Sequence, residues 1–380
     1  MRSRVRTALI CLLTFGLLAF FLRNADMAGV WAETRRARPG LLTLGLLVTA
    51  ATYVLRALRW QYLLAPIGRT HFGTAFRATV IGFAASFLLP ARAGEVIRPY
   101  LLARQERLSA TAAFATIILE RLLDLVTVLL LFGVFVATID APTASVDPSA
   151  LARVKVGGQL AAVAALAGLG LFFTLARHPE RIGRWALQVE RVLPARMARA
   201  VARFVESFAQ GLAVMRQPGR LLVALAWSFP IWLSIAAGIW LTSLAFHITF
   251  PFAGSFLVTL VLVVGVAMPT PGAIGGFHAA YQIAVQTFFG ATDDRAVGGA
   301  IVLHAISFVP VTLVGILFMA REGLTLGRAR SLAAEAESTG SGGSAGSGAP
   351  EDLERTSGPE TSGDDASDSA PDESLAGAAR

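Results

Sequence analysis

The chain is divided into long apolar stretches, most of them bounded by arginine or broken by proline, and this pattern commits it to a membrane. The stretches are Thr7–Leu22, Leu41–Leu64, Gly73–Leu89, Ala110–Ile139, Val156–Ala176, Leu221–Phe246, Phe252–Met268, Phe277–Phe289 and Gly298–Ala320. A helix crossing the hydrocarbon core needs about 20 apolar residues, and soluble helices have no such need. Hydrophobic residues make up 55% of the chain and charged ones 15%, whereas soluble domains run at about 45–50% and about 25%. Nothing alternates with a period of two, which argues against a membrane β-barrel. The expected fold class is all-α: a polytopic transmembrane helical bundle of roughly eight spans. That count includes two Pro/Gly-broken segments, each either a pair of crossings or a re-entrant hairpin.

Thr7–Leu22 follows Arg2, Arg4 and Arg6, as a signal peptide would. Arg23 ends the run without a small-residue cleavage site, so it is expected to stay as the first helix.

Charge divides the chain into residues 1–330, expected to form the membrane domain, and a tail, 331–380. The tail holds 11 acids and two arginines, a charge of −9, and the rest carries +17. Ser338–Ser347 offers almost nothing to bury, so the tail is expected to remain disordered. The arginines upstream flank or interrupt apolar segments. This points to topology control and anionic lipid headgroups as partners, not to nucleic acid. Between Arg177 and Arg220 lie nine arginines against Glu180, Glu190 and Glu206. By the positive-inside tendency this loop, 177–220, is cytoplasmic. Within it Val201, Phe204, Val205, Phe208 and Leu212 share a helical face, either lying on the bilayer or packed on the protein itself.

With that loop inside, Val156–Ala176 begins outside and Ala110–Ile139 begins inside. Gly73–Leu89 and the segment after Pro90 must then go in and come back. By the same parity Phe252–Met268 must pair with Phe277–Phe289. Arg321, Arg328 and Arg330 place the tail in the cytoplasm, and the membrane is expected to be the cytoplasmic one. Both hairpins break at an elbow, Leu88–Glu95 and Met268–Gly276. Broken backbone at membrane depth survives only where protein buries it or water reaches it. A pair of such segments in corresponding halves points to a transporter binding site.

Several ionisable residues stand out. Arg56 and Arg59, one turn apart and followed by Trp60 and Tyr62, read best as snorkelling arginines beside an interfacial aromatic belt. Glu95 and Arg98, three apart after the first elbow, are placed to pair either in a cytoplasmic loop or at a restarted helix that attracts an anion. Arg92 lies in the elbow itself. Glu120, Arg121 and Asp124 sit inside a span, where charge is costly and faces a cavity or a partner. Glu120 and Asp124 share a face, and Arg121 can reach Asp124. His278 follows the second elbow, with Tyr281 and Gln282 one turn on; His304 is a weaker candidate. One cysteine, Cys11, excludes an internal disulfide and a multi-Cys metal site. Without a Walker A loop, GxSxG, HExxH or a Cys/His cluster, neither an ATP motor nor a metal or other cofactor is expected, and the chain does not read as an enzyme.

Four stretches, taken in order, resemble the flippase-like membrane domain of lysylphosphatidylglycerol synthases and of a broad family of stand-alone proteins. They are Arg56-Ala57-Leu58-Arg59-Trp60, Pro90 to Glu95 with Arg98, Glu120-Arg121 with Asp124, and Pro269 to Gly276. The resemblance covers about residues 7–325. It implies an ATP-independent flippase or transporter for a polar or polyprenyl-linked lipid. Arg56, Arg59, Arg92 and Arg98 would meet a phosphate headgroup, and Glu120 and Asp124 would balance them or bind a cationic headgroup. Pro271, Gly272, Gly275 and Gly276 would form the second elbow facing the first. Many relatives carry glutamate where this chain has His278. In aminoacylating members a cytoplasmic acyltransferase-like domain follows the membrane domain, and the resemblance does not extend to that chemistry. The rival expectation is a membrane accessory or enzyme in a glycolipid pathway, partnered with a lipid-modifying enzyme or glycosyltransferase, in which His278 and Glu95 act as an acid/base pair.

Overall fold

A computed structural model describes residues 16–23, 25–89, 92–138, 148–177, 207–208, 210–268 and 270–323. The start of the expected first span, Pro90, Pro269, most of the basic loop with Val201, Phe204 and Val205, and the tail lie outside the described residues. The chain divides into a unit Met1–Gly343 and a unit Ser344–Arg380; the described residues all belong to the first.

The described residues are helical, with no strand among them. Residues 16–22 form a helical stretch. It is followed by α1 (Met27–Arg36), α2 (Pro39–Leu64), α3 (Phe72–Leu88), α4 (Gly94–Glu106), α5 (Ala110–Thr138) and α6 (Pro148–Arg177). A turn at Ala213–Arg216 leads into α7 (Pro218–Ala245), α8 (Gly254–Ala267), α9 (Gly276–Phe289) and α10 (Asp293–Arg321). This is a polytopic transmembrane bundle.

The helix boundaries follow local chemistry. Asp26 caps α1, its carboxylate accepting from the Ala28 and Gly29 N–H groups at 3.0 and 3.1 Å. Pro39 and Pro218 open α2 and α7, where a missing N–H costs nothing. Pro230 and Pro310 do not end their helices; α7 and α10 run through them. By length and composition α2, α7 and α10 can cross a membrane. α5 has 29 residues, enough to span, but carries Glu120, Arg121 and Asp124 inside it.

The two broken segments are helical hairpins with short arms. α3 and α4 pack where Gly82 faces Gly94; a Cβ on Gly82 would meet Arg98 Cβ at 2.7 Å and the Gly94 carbonyl at 3.1 Å. α8 and α9 pack where Gly265 faces Gly276. Such contacts bring helix backbones together as small residues do inside membranes. α4, α8 and α9 have 13, 14 and 14 residues, or about 20 Å each at about 1.5 Å per residue. That falls short of the roughly 30 Å hydrocarbon core, while α3, with 17 residues, is at the lower limit of a crossing.

Their elbows meet. Arg92 donates from Nη2 to the Val266 carbonyl at the end of α8. Phe87, at the end of α3, lies 3.1 Å from where a Cβ on Gly272 would sit. Phe87 also packs on His304 and Phe308 of α10.

The basic loop is described only at its end. There Leu212 is fully buried and Phe208 packs on the same cluster, with Trp60, Leu63 and Leu119. This end of the apolar face therefore rests on the protein.

Candidate functional site

Polar residues at helical spacing run along one face of α5: Thr116, Glu120, Asp124 and Thr127, all buried. Two other helices bring arginines to that face. α2 packs closely on α7, and its C-terminal half carries Arg56, Arg59 and Trp60 against α5. α4, held to α3 by the glycine contact, delivers Arg98.

Three guanidinium groups converge on Glu120 Oε1: Arg98 Nη1 at 3.0 Å, Arg59 Nη2 at 3.1 Å and Arg121 Nη2 at 3.1 Å. Asp124 Oδ1 accepts from Arg59 Nη1 at 2.6 Å and from Trp232 Nε1 at 2.9 Å. Asp124 Oδ2 faces Arg121 at 3.6 Å and Arg56 at 3.8 Å. Arg59 and Arg121 thus each bridge both carboxylates. Arg59 also donates to Ser228 Oγ at 2.7 Å.

Aromatic rings wall the cluster. The Arg98 guanidinium lies 4.0 Å from the centroid of Trp60, and Arg56 lies 5.1 Å from that of Phe83. Trp60 Nε1 donates to Thr116 Oγ1 at 3.0 Å, which fixes the ring beneath Arg98.

Two expectations are corrected here. Arg56 and Arg59 do not snorkel, and Trp60 is no interfacial belt residue: their exposures are 6%, 0% and 0%. Carboxylates ten residues into α5 attract the arginines inward more strongly than headgroups attract them outward. Arg98 does not pair with Glu95; it reaches Glu120, and Glu95 instead faces Arg92 at 3.8 Å. The α3–α4 packing turns Arg98 toward α5.

At the second elbow Pro271 begins a short 3-10 turn and Gly272 follows at φ +61°. Gly275 has φ +85°, and its N–H donates to His278 Nδ1 at 3.4 Å. His304 Nε2 donates to the Gly272 carbonyl at 2.9 Å, tying the elbow to α10. The two imidazoles lie 4.5 Å apart, within a set of phenylalanines that includes Phe21, Phe277 and Phe308. Tyr281 turns to α7, its hydroxyl 2.8 Å from Ser243 Oγ; Gln282 is buried beside it. Among the described residues no hydrogen bond or ion pair joins His278 to Glu95, and none of their His, Cys, Asp and Glu side chains form a group of three or more fit to hold a metal.

Trp232, Ser228, Phe83 and Thr116 complete the cluster but were not singled out by sequence reasoning. The four-residue spacing of Ser228 and Trp232 on α7, and of Thr116 and Glu120 on α5, was the available signal.

Compared with known families, residues 7–315 match the model of the lysylphosphatidylglycerol synthase TM region. The chain belongs to this family. Among curated proteins it is similar to a UPF0104 membrane protein of Methanothermobacter thermautotrophicus, 25% identical over 299 residues, covering 74% of this chain and 85% of that protein. It is also similar to the glycosyltransferase AglD of Haloferax volcanii, 23% identical over 333 residues, covering 81% of this chain. The chain spans 52% of that relative's length. Within the lysylphosphatidylglycerol synthase TM family, then, this member carries an ion cluster beside two touching Pro/Gly elbows.

Proposed function

We propose that this protein is an ATP-independent lipid translocator, moving a polar or polyprenyl-linked lipid across the cytoplasmic membrane, with its tail on the cytoplasmic side. The observation that carries this reading is the contact between two short, Pro/Gly-broken hairpins next to buried Arg59, Arg98, Glu120 and Asp124. Ionisable groups inside a membrane domain are costly and mark substrate paths, and paired broken helices are where transporters hold substrate. Arg92, at φ +53°, sits at the junction and links one elbow to the other. In this reading the elbows are the moving parts, and the cluster is the headgroup site that both helical hairpins approach.

The test uses purified protein in proteoliposomes with fluorescent lipids bearing anionic, zwitterionic and cationic headgroups. Headgroup-dependent movement between leaflets, lost in monodisperse Glu120→Gln and Arg98→Ala, is the expected result. Movement no faster than in protein-free liposomes for every headgroup would refute it.

A second reading draws on the relative named a glycosyltransferase: a membrane accessory to a glycolipid pathway. It predicts no transport by the isolated protein and co-purification with a glycosyltransferase.

A further inference from the structure

The charges around the elbows do not balance. Arg56, Arg59, Arg92, Arg98 and Arg121 face Glu95, Glu120 and Asp124, five positive groups against three negative ones. Arginine does not give up its proton in proteins, so among the described residues the cluster carries +2. Arg56, Arg59 and Arg98, with side chains at most 8% exposed, face only Glu120 and Asp124 in the buried part, and buried charge without a full counter-charge is expensive to keep.

The hydrogen-bonding ledger is also open. Arg98 uses only Nη1, toward Glu120; its Nε and Nη2 find no acceptor, and the side chain is 4% exposed. Those two N–H groups form one edge of the guanidinium, the parallel fork that grips phosphate oxygens in pairs. Arg59 Nε, Arg56 Nη1 and Arg121 Nε are likewise buried without an acceptor. The carboxylate oxygens Glu120 Oε2 and Asp124 Oδ2 also lack a hydrogen bond, but Asp124 Oδ2 has two guanidinium groups within 4 Å. Donors outnumber acceptors, and the surplus is cationic.

The cluster opens on one side. Arg121, Arg92 and Glu95 have side chains 38%, 45% and 36% exposed, whereas Arg59 and Glu120 have none. Arg121 therefore stands between the open side and the buried pairs.

We propose that this cluster is the binding site for a doubly negative phosphate headgroup, a phosphomonoester or a pyrophosphate on a lipid, entering past Arg121 and seating on the free edge of Arg98. The inference rests on the translocator reading for the lipid nature of the ligand and adds its headgroup class. A phosphomonoester carries about −1.5 to −2 at neutral pH, which cancels the +2. A phosphodiester neutralises half of it, and a cationic headgroup adds to it.

The test is ligand binding to the full chain in non-ionic detergent, followed by calorimetry and by thermal shift. The probes are octyl phosphate, dioctyl phosphate, lysine octyl ester and inorganic pyrophosphate. Octyl phosphate should bind about ten-fold or more tighter than dioctyl phosphate, since one lost charge-assisted contact is worth that much. Lysine octyl ester should not bind. Arg121→Gln, at a position 38% exposed, should weaken octyl phosphate about ten-fold, while the unliganded protein stays monodisperse and loses less melting temperature than Arg59→Met. Octyl phosphate binding that ignores this substitution, or that lysine octyl ester equals, would overturn the proposal. Inorganic pyrophosphate binding as tightly as octyl phosphate would overturn its lipid part and assign the site to free phosphates. Phosphate binding without transport of any lipid would leave the site standing and remove the translocator reading. Transport of cationic lipids alone would do the reverse.

Discussion

Replacing Arg59 by methionine removes a charge while keeping most of the side chain's volume. Arg59 is wholly buried and contacts both carboxylates, 2.6 Å from Asp124 and 3.1 Å from Glu120. Deleting one partner of a buried ion pair costs about 3–5 kcal/mol, because the other charge stays buried and unpaired. Here Asp124 keeps Trp232, and Glu120 keeps Arg98 and Arg121, which places the loss at the lower end, about 3 kcal/mol. At about 2 °C per kcal/mol for a large domain, the melting temperature should fall by about 6 °C. Asp124→Leu should destabilise by a similar route. The double variant Arg59→Met with Asp124→Leu removes both charges, so its loss should be smaller than the sum of the single losses by about 1–3 kcal/mol. The assay is thermal unfolding of detergent-purified protein followed by tryptophan fluorescence. An Arg59→Met variant that melts with the parent, or strictly additive losses, would mean that Arg59 reaches headgroups or water and that the inward pairing is wrong.

Three further outcomes are expected. Gly272→Ala places a Cβ on a backbone at φ +61° and 3.1 Å from the Phe87 ring; left-handed backbone costs an L-residue about 1–2 kcal/mol, measurable as a lower melting temperature, and no change would show that the elbow relaxes freely. His304→Phe keeps the ring but loses the 2.9 Å bond to the Gly272 carbonyl; an unsatisfied buried acceptor costs about 1–3 kcal/mol, and a cysteine placed at Ile274 should react faster with maleimide. Deleting residues 331–380 should leave transport unchanged in proteoliposomes, since no membrane segment is removed; lost transport would instead favour a role for the tail in recruiting a partner.

How much could be read from the sequence differs from residue to residue. Glu120, Arg121 and Asp124 announce themselves because charge inside an apolar run has few physical explanations. The elbows at Pro90 and Pro269 are equally plain, since proline and glycine clusters cannot continue a helix. Arg56 and Arg59 are ambiguous in sequence, because an arginine near a helix end has two low-energy solutions, headgroups or a buried carboxylate, and local sequence does not choose between them. Arg98 is a related case: spacing of three makes a pair with Glu95 sterically available, but only packing decides which partner is nearer.

The sequence by itself determined that the chain is an all-helical membrane protein, that two of its segments are broken, and that ionisable groups lie within a span. Each of these follows from free energies that act locally, the cost of exposing apolar surface or of unpaired backbone in lipid. Only the tertiary structure decided that the broken segments are short hairpins whose tips touch, that four arginines turn inward on two carboxylates, and that the resulting cluster holds a surplus of positive charge. Those facts depend on distances between residues as far apart as Arg59 and Trp232, both held to Asp124. Such distances are set by glycine contacts between helices, as at Gly82 and Gly94. Interactions of that kind depend on three-dimensional proximity, which hydrophobic periodicity along one helix does not encode.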